Sequence, residues 1–194
     1  MIITNDFEVA EPVDKVWRFF DNIPQVASCL PGAELTKELG DDKYEGLVGI
    51  RMGPVRLRFT GTADITERDE DNKKIVVHAA GADEKGRGQA AMAGTASLTA
   101  ARGGTRVDVS LDLQLSGAAA QYGRGMVSDV SAVLMRDFSV NLADRIDRAE
   151  RGEAVTGPAT AASPASGFTL GMRAAMMALR RVFRRFFVPY QAAS

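Results

Sequence analysis

AAAQYGRGMVSDVSAVLMRDFSVNLADRIDRA, residues 118–149, reads as a single long helix. It opens after Ser116-Gly117, which can cap it, and closes near Arg151-Gly152. Met126, Val127, Val130, Leu134 and Phe138 recur at three- and four-residue spacing and form one apolar stripe, while Arg124, Asp129, Arg136, Asp144 and Asp147 fall largely elsewhere. That stripe must be covered. Most of the chain before the helix reads as strand, and strands followed by one long helix imply an α+β fold with a curved antiparallel sheet wrapped around the helix. The question of function becomes what lies between the two.

Residues 2–10 read as the first strand. Pro12 suits the first turn of a short helix in which Val13, Val16, Trp17 and Phe20 share a face, and Trp17 reads as core. Ile23 to Leu30 forms a second short helix, stopped by Pro31-Gly32. Five strand-like runs follow. In two of them Tyr44, Gly46, Val48, Ile50 and Met52, then Val55, Leu57, Phe59, Gly61, Ala63 and Ile65, point inward across the turn Gly53-Pro54. Their partners Arg56, Arg58, Thr60, Thr62 and Asp64 are polar, which sets the register. Ile75 to Ala82 and Gln89 to Ala101 are joined by the charged turn from Asp83 to Gly88. The last run alternates Val107, Val109, Leu111, Leu113 and Leu115 with polar residues, the pattern of a sheet buried on one face.

Many inward positions are small: Gly46, Gly61, Ala63, Ala79, Gly81, Ala90, Gly94 and Ala96. Interiors fill to crystal-like density, so either the helix sits close over these residues or an apolar pocket remains.

A chain of 194 residues can bury a real core as one domain with an appendage: a body at 1–150, a linker at 151–167 and a tail at 168–194. The linker is rich in Ala, Ser, Thr, Gly and Pro, and as a random coil it spans roughly 20–25 Å. Residues 155–194 hold five Arg and no Asp, Glu or Lys, so an acidic body carries a basic tail. As a helix, the tail puts Met172, Met176, Leu179, Val182, Phe183 and Phe186 opposite Arg173, Arg180, Arg181, Arg184 and Arg185. Crossing a bilayer with four closely spaced Arg costs on the order of 10 kcal/mol. Lying flat instead gains about 1 kcal/mol per Arg at an anionic surface, and the apolar face adds to that. The tail therefore reads as a membrane-surface helix, with Arg173, Leu179, Arg180, Arg181, Phe183, Arg184, Arg185 and Phe186 meeting the lipid, the alternative being a terminal helix docked on the protein's own body.

Several chemistries are missing from the sequence. His78 and Cys29 are the only residues of their kinds, which rules out multi-His or multi-Cys metal sites within one chain and a disulfide framework. A Ser-His-Asp triad would need His78, which reads as a sheet-face residue. No phosphate-binding loop is present, and an acidic body without an aromatic stacking pattern disfavours nucleic acid. The N-terminus MIITNDFEVA has no secretory pattern, and no run of 18 uninterrupted apolar residues occurs. These features point to a cytoplasmic body attached peripherally to a membrane surface, and no catalytic constellation stands out.

The order of elements resembles the helix-grip fold of the START and Bet v 1 superfamily. Within it, Val13-Asp14-Lys15-Val16-Trp17-Arg18-Phe19-Phe20-Asp21 followed by Cys29-Leu30-Pro31-Gly32-Ala33-Glu34 resembles the opening of the CoxG family of carbon monoxide dehydrogenase proteins. Met52-Gly53-Pro54-Val55 and Gly86-Arg87-Gly88 resemble it too, and the likeness covers residues 1–150. The resemblance implies a non-catalytic accessory protein that links a cytoplasmic molybdenum CO dehydrogenase to the inner face of the membrane, with an apolar cavity for a lipophilic ligand. Electrons from such an enzyme must reach lipid-soluble carriers, so a quinone, menaquinone for example, is the implied cargo. Its apolar tail is expected along Met126, Val130, Leu134 and Phe138, facing Met52, Leu57, Phe59 and Met92, with Tyr122 donating to a ring carbonyl. Two rival readings are a membrane tether without cargo and an enzyme related to polyketide cyclases.

Overall fold

The computed structural model describes residues 1–52 and 55–151, without the side chains of Met52 and Val55. The turn at Gly53-Pro54, the linker from residue 152 onward and the basic tail at 168–194, with all its lipid-facing residues, lie outside the described residues. The chain runs β1 (Ile2–Val9), α1 (Val13–Phe20), α2 (Ile23–Cys29), then β2 (Ala33–Gly40), β3 (Lys43–Met52), β4 (Val55–Asp69), β5 (Lys74–Asp83), β6 (Gln89–Ala101) and β7 (Gly104–Leu115). A 3₁₀ turn at Ala119–Gln121 leads into α3 (Arg124–Glu150). All seven strands form one antiparallel sheet in the order β1-β7-β6-β5-β4-β3-β2, and α3 packs against β1 and α2. This is the helix-grip arrangement: α1 and α2 carry the chain from one edge strand, β1, to the other, β2.

The two short helices form for local reasons. Pro12 precedes α1, whose Val16, Trp17, Phe19 and Phe20 are buried. Asn22 caps α2 by accepting a bond from the Gln25 N–H at 3.1 Å. The chain then turns at Gly32, whose φ of +80° favours glycine; any Cβ there would also strike the carbonyl of Gly49. The Gly49 N–H in turn donates to the Gly32 carbonyl at 2.8 Å, so the Cys-Leu-Pro-Gly element is tied to β3.

Three expectations need correction. The long helix starts at Arg124, not Ala118. Gly117 adopts a left-handed conformation, the Ala118 N–H donates to the Arg87 carbonyl at 2.6 Å, and Tyr122 and Gly123 are extended. The extended backbone at Tyr122 and Gly123 thus separates the 3₁₀ turn from α3. Met126, placed on the apolar stripe, is 43% exposed. At about 100° per residue it sits behind the buried line of Val127, Ser131, Phe138, Leu142 and Ile146, in the first turn of the helix. Finally, six strands follow the short helices rather than five. The extra one, β2, is an edge strand with two register shifts against β3 and mostly exposed residues, so it shows almost no alternation.

Candidate functional site

Two packed clusters fill the ends of the space between sheet and α3. The first gathers Val16, Trp17 and Phe20 of α1 with Phe138, Leu142 and Ile146 of α3; Phe7 meets Phe138 edge-on at 5.8 Å between ring centroids. The second joins Leu57 and Phe59 to Ala119, with Ile50, Leu115, Tyr122 and Val130 against them. Between them lies a cavity of about 390 Å³, lined from the first cluster by Leu30, Leu35, Tyr44 and Met135 and from the second by Val48, Ile50, Phe59 and Val130. That volume lies within the range of small-molecule sites.

Strand register explains why the cavity lies there. Gly46, Gly61, Gly81, Ala90 and Leu115 form one row across β3 to β7, and Tyr44, Ala63, Ala79, Met92 and Leu113 form the next. The first row is small from β3 to β6 and ends in Leu115, and the second is small only at Ala63 and Ala79, between Tyr44 and Met92. The middle cannot grow freely: a Cβ on Gly61 would collide with the Ala80 backbone of the neighbouring strand. Gly46, Gly61, Ala63, Ala79, Gly81 and Ala90 therefore line open space. Gly94 and Ala96 pack closely instead, against Leu111 and the first cluster respectively. Both alternatives left open by the sequence are realised, at different places.

Of the ligand-facing residues expected, Phe59, Met92, Val130 and Leu134 line the cavity together. Leu57 is buried within the second cluster, Tyr122 packs on that cluster, and Phe138 belongs to the first; none of the three is on the lining. Met126 faces solvent, and Met52 cannot be placed because its side chain is outside the described residues. Sequence reasoning overlooked Leu111, Leu113, Met135 and Ser131 as lining residues. Ser131 lies four residues after Val127 and seven before Phe138, so helical spacing places it on the stripe and only its polarity hid it.

The lining is almost entirely hydrocarbon. Its titratable residues among those described are Glu34, which is exposed, and Tyr44, whose phenol is pushed up by burial and by the nearby Asp42 and Glu38. His78 sits on the outer face of the sheet, in register with Asp64, and is exposed. Cys29 is fully buried, and burial pushes its thiol up to about 11, opposed by the Arg145 charge.

Beyond the cavity, one buried charge organises the β5–β6 loop. Asp83 accepts from Arg87 Nε at 2.7 Å and Nη2 at 2.8 Å, and from the N–H groups of Arg58, Lys85 and Arg87 at 3.1, 3.1 and 3.3 Å. The Arg87 guanidinium holds the Asp83 carboxyl well below the usual carboxylate range, helped by the backbone donors. Arg87 also reaches the Arg56 carbonyl at 2.6 Å, so the loop is locked to the start of β4.

The model of the carbon monoxide dehydrogenase CoxG family matches residues 6–147. No curated protein matches the chain. Among solved structures, a conserved protein from Geobacillus kaustophilus superposes with a TM-score of 0.68 at 20% identity, covering 77% of this chain and 97% of that one. The Zhui aromatase/cyclase from Streptomyces sp. R1128 gives a TM-score of 0.53 at 16% identity, covering 81% and 98%. A START superfamily protein from Mycobacterium smegmatis gives 0.52 at 14%, covering 76% and 98%. At these identities the solved structures establish the START-like fold, and the family match, which spans all the strands and nearly all of α3, establishes that this chain belongs to the carbon monoxide dehydrogenase CoxG family.

Proposed function

We propose that this protein is an accessory protein of a carbon monoxide dehydrogenase, carrying a lipophilic quinone-type molecule in its cavity and resting on the membrane through its basic tail. The family membership supports the association with that enzyme. The observation that carries the cargo reading is the apolar cavity of about 390 Å³ between the two clusters. A lining of that size and apolar chemistry suits a lipophilic small molecule. The sequence of residues 168–194 supports the membrane reading: it combines Arg residues suited to anionic headgroups with Phe, Leu and Met residues suited to the acyl boundary.

The test is organic-solvent extraction of freshly purified full-length protein, with mass spectrometry and ultraviolet absorption of the extract, followed by uptake of added quinone. Near-stoichiometric quinone, or saturable uptake, is the expected result. Protein that neither holds nor takes up a quinone would return the reading to a tether without cargo. Leu134→Arg, which puts a charge on the lining, is expected to abolish loading while the protein stays folded. The fold shared with an aromatase/cyclase keeps an enzymatic reading in view. It would require turnover of a polyketide-like substrate, and the described lining offers only Glu34 and Tyr44 for proton transfer.

A further inference from the structure

Two apolar stripes meet at a polar pair. On β1 the inward positions are Ile3, Asn5, Phe7 and Val9; Asn5 alone among them is polar, and it is half-buried. On α3, Ser131 interrupts the buried line between Val127 and Phe138 and is only 7% exposed. The Asn5 Nδ2 group donates to Ser131 Oγ at 2.8 Å, and Ser131 lines the cavity. Two apolar residues of the same shape can replace such a pair at little or no cost to stability, so folding need not demand it. Local rules broken without a folding gain tend to mark a functional position.

Hydrogen-bond capacity indicates what the pair is for. A serine hydroxyl has one donor and two acceptor positions, and the Asn5 amide occupies an acceptor position. A helical serine often turns its own proton back onto a carbonyl three or four residues earlier, as Ser139 does to Arg136 at 2.8 Å. Among the described residues Ser131 donates no such bond. The other polar groups on the lining are less suited: Glu34 and Thr62 are exposed, Thr62 sits in the outward row with Ala80 and Ala91, and the Tyr44 phenol lies near the carboxylates of Asp42 and Glu38.

We infer that Ser131, fixed by Asn5, is the hydrogen-bond donor that orients the cavity's ligand, so that the ligand is an apolar molecule bearing an acceptor such as a ring carbonyl. This deepens the cargo reading and rests on it. The donor thus lies in the second turn of α3, rather than at Tyr122 as the sequence implied.

The test compares two probes of similar shape, duroquinone with its carbonyls and durene without them, by calorimetric titration of the full chain. One hydrogen bond in an apolar site corresponds to about a 5- to 10-fold change in Kd. Ser131→Ala is expected to weaken duroquinone by that factor and leave durene unchanged, whereas Ser131→Thr keeps the quinone affinity. Asn5→Leu, which frees the hydroxyl to bond its own helix, gives the same selective loss and provides a second route should Ser131→Ala fold poorly. Unchanged duroquinone affinity in Ser131→Ala, with durene still bound, overturns the donor assignment and leaves the cavity reading intact. Failure of the wild-type protein to bind either probe overturns both.

Discussion

Asp83 shows how a single side chain can govern a loop. Its carboxyl is held down by Arg87, so its contribution to stability is complete above the unfolded value of about 4 and is lost as pH falls toward the lower folded value. Thermal unfolding followed from pH 7 to pH 2 should show Tm falling below about pH 4. Asp83→Asn should lower Tm at pH 7 and flatten that acid-dependent fall. Cys29 gives a second prediction. With its thiol raised to about 11, only about 0.1% is thiolate at pH 8, and the sulfur is buried as well. A thiol reagent at pH 8 is expected to leave the folded protein unmodified and to label one site after denaturation. Neither residue was legible in this role from sequence. Asp83 stands in a charged turn like any solvated acid, and its burial depends on Arg58 and Arg87 arriving from two different strand ends.

At the scale of elements, α3 is one helix with two environments. Its C-terminal half is packed solid, with Leu142 fully buried in the first cluster, while Leu134 faces the cavity. Leu142→Ala should cost roughly 2–5 kcal/mol in denaturant unfolding, the range for a close-packed core leucine. Leu134→Ala should cost distinctly less, because the space it vacates adjoins one already open. Met126→Lys, at an exposed position, should change stability by no more than about 0.5 kcal/mol. Equal losses at positions 126 and 142 would mean that the stripe read from spacing was right and the observed helix start wrong. The sheet has one rigid requirement of the same kind: Gly61→Val forces a side chain into the Ala80 backbone and should destabilise by at least about 1–3 kcal/mol.

Taken whole, the molecule joins an acidic body to a basic tail, and each half of the proposed function rests on a different part. Removing residues 168–194 should abolish cosedimentation with anionic vesicles while leaving the Tm of the body and its quinone uptake intact. Binding by the full chain should weaken as salt rises, because headgroup attraction is screened over a Debye length of about 10 Å at 0.1 M. Loss of quinone uptake on deleting the tail would instead make the tail part of the ligand site.

The sequence by itself determined the class of fold. Alternation in β7 and in the β3–β4 hairpin, the amphipathic α1 and the spacing of α3 are periodic features, and period follows from backbone geometry that each segment carries locally. Its CoxG motifs were legible for a similar reason, since Gly32 is required at a tight turn whatever surrounds it. What only the tertiary structure decided was how the elements share volume. Small inward residues are compatible with close packing and with a cavity, and the pairing of the strands left open space at Gly61 and Ala79 but not at Gly94. The meeting of Asn5 with Ser131, 126 positions apart, was likewise beyond any local pattern. Contacts between distant segments depend on register and on the start of α3, both of which are set only when the sheet closes around the helix.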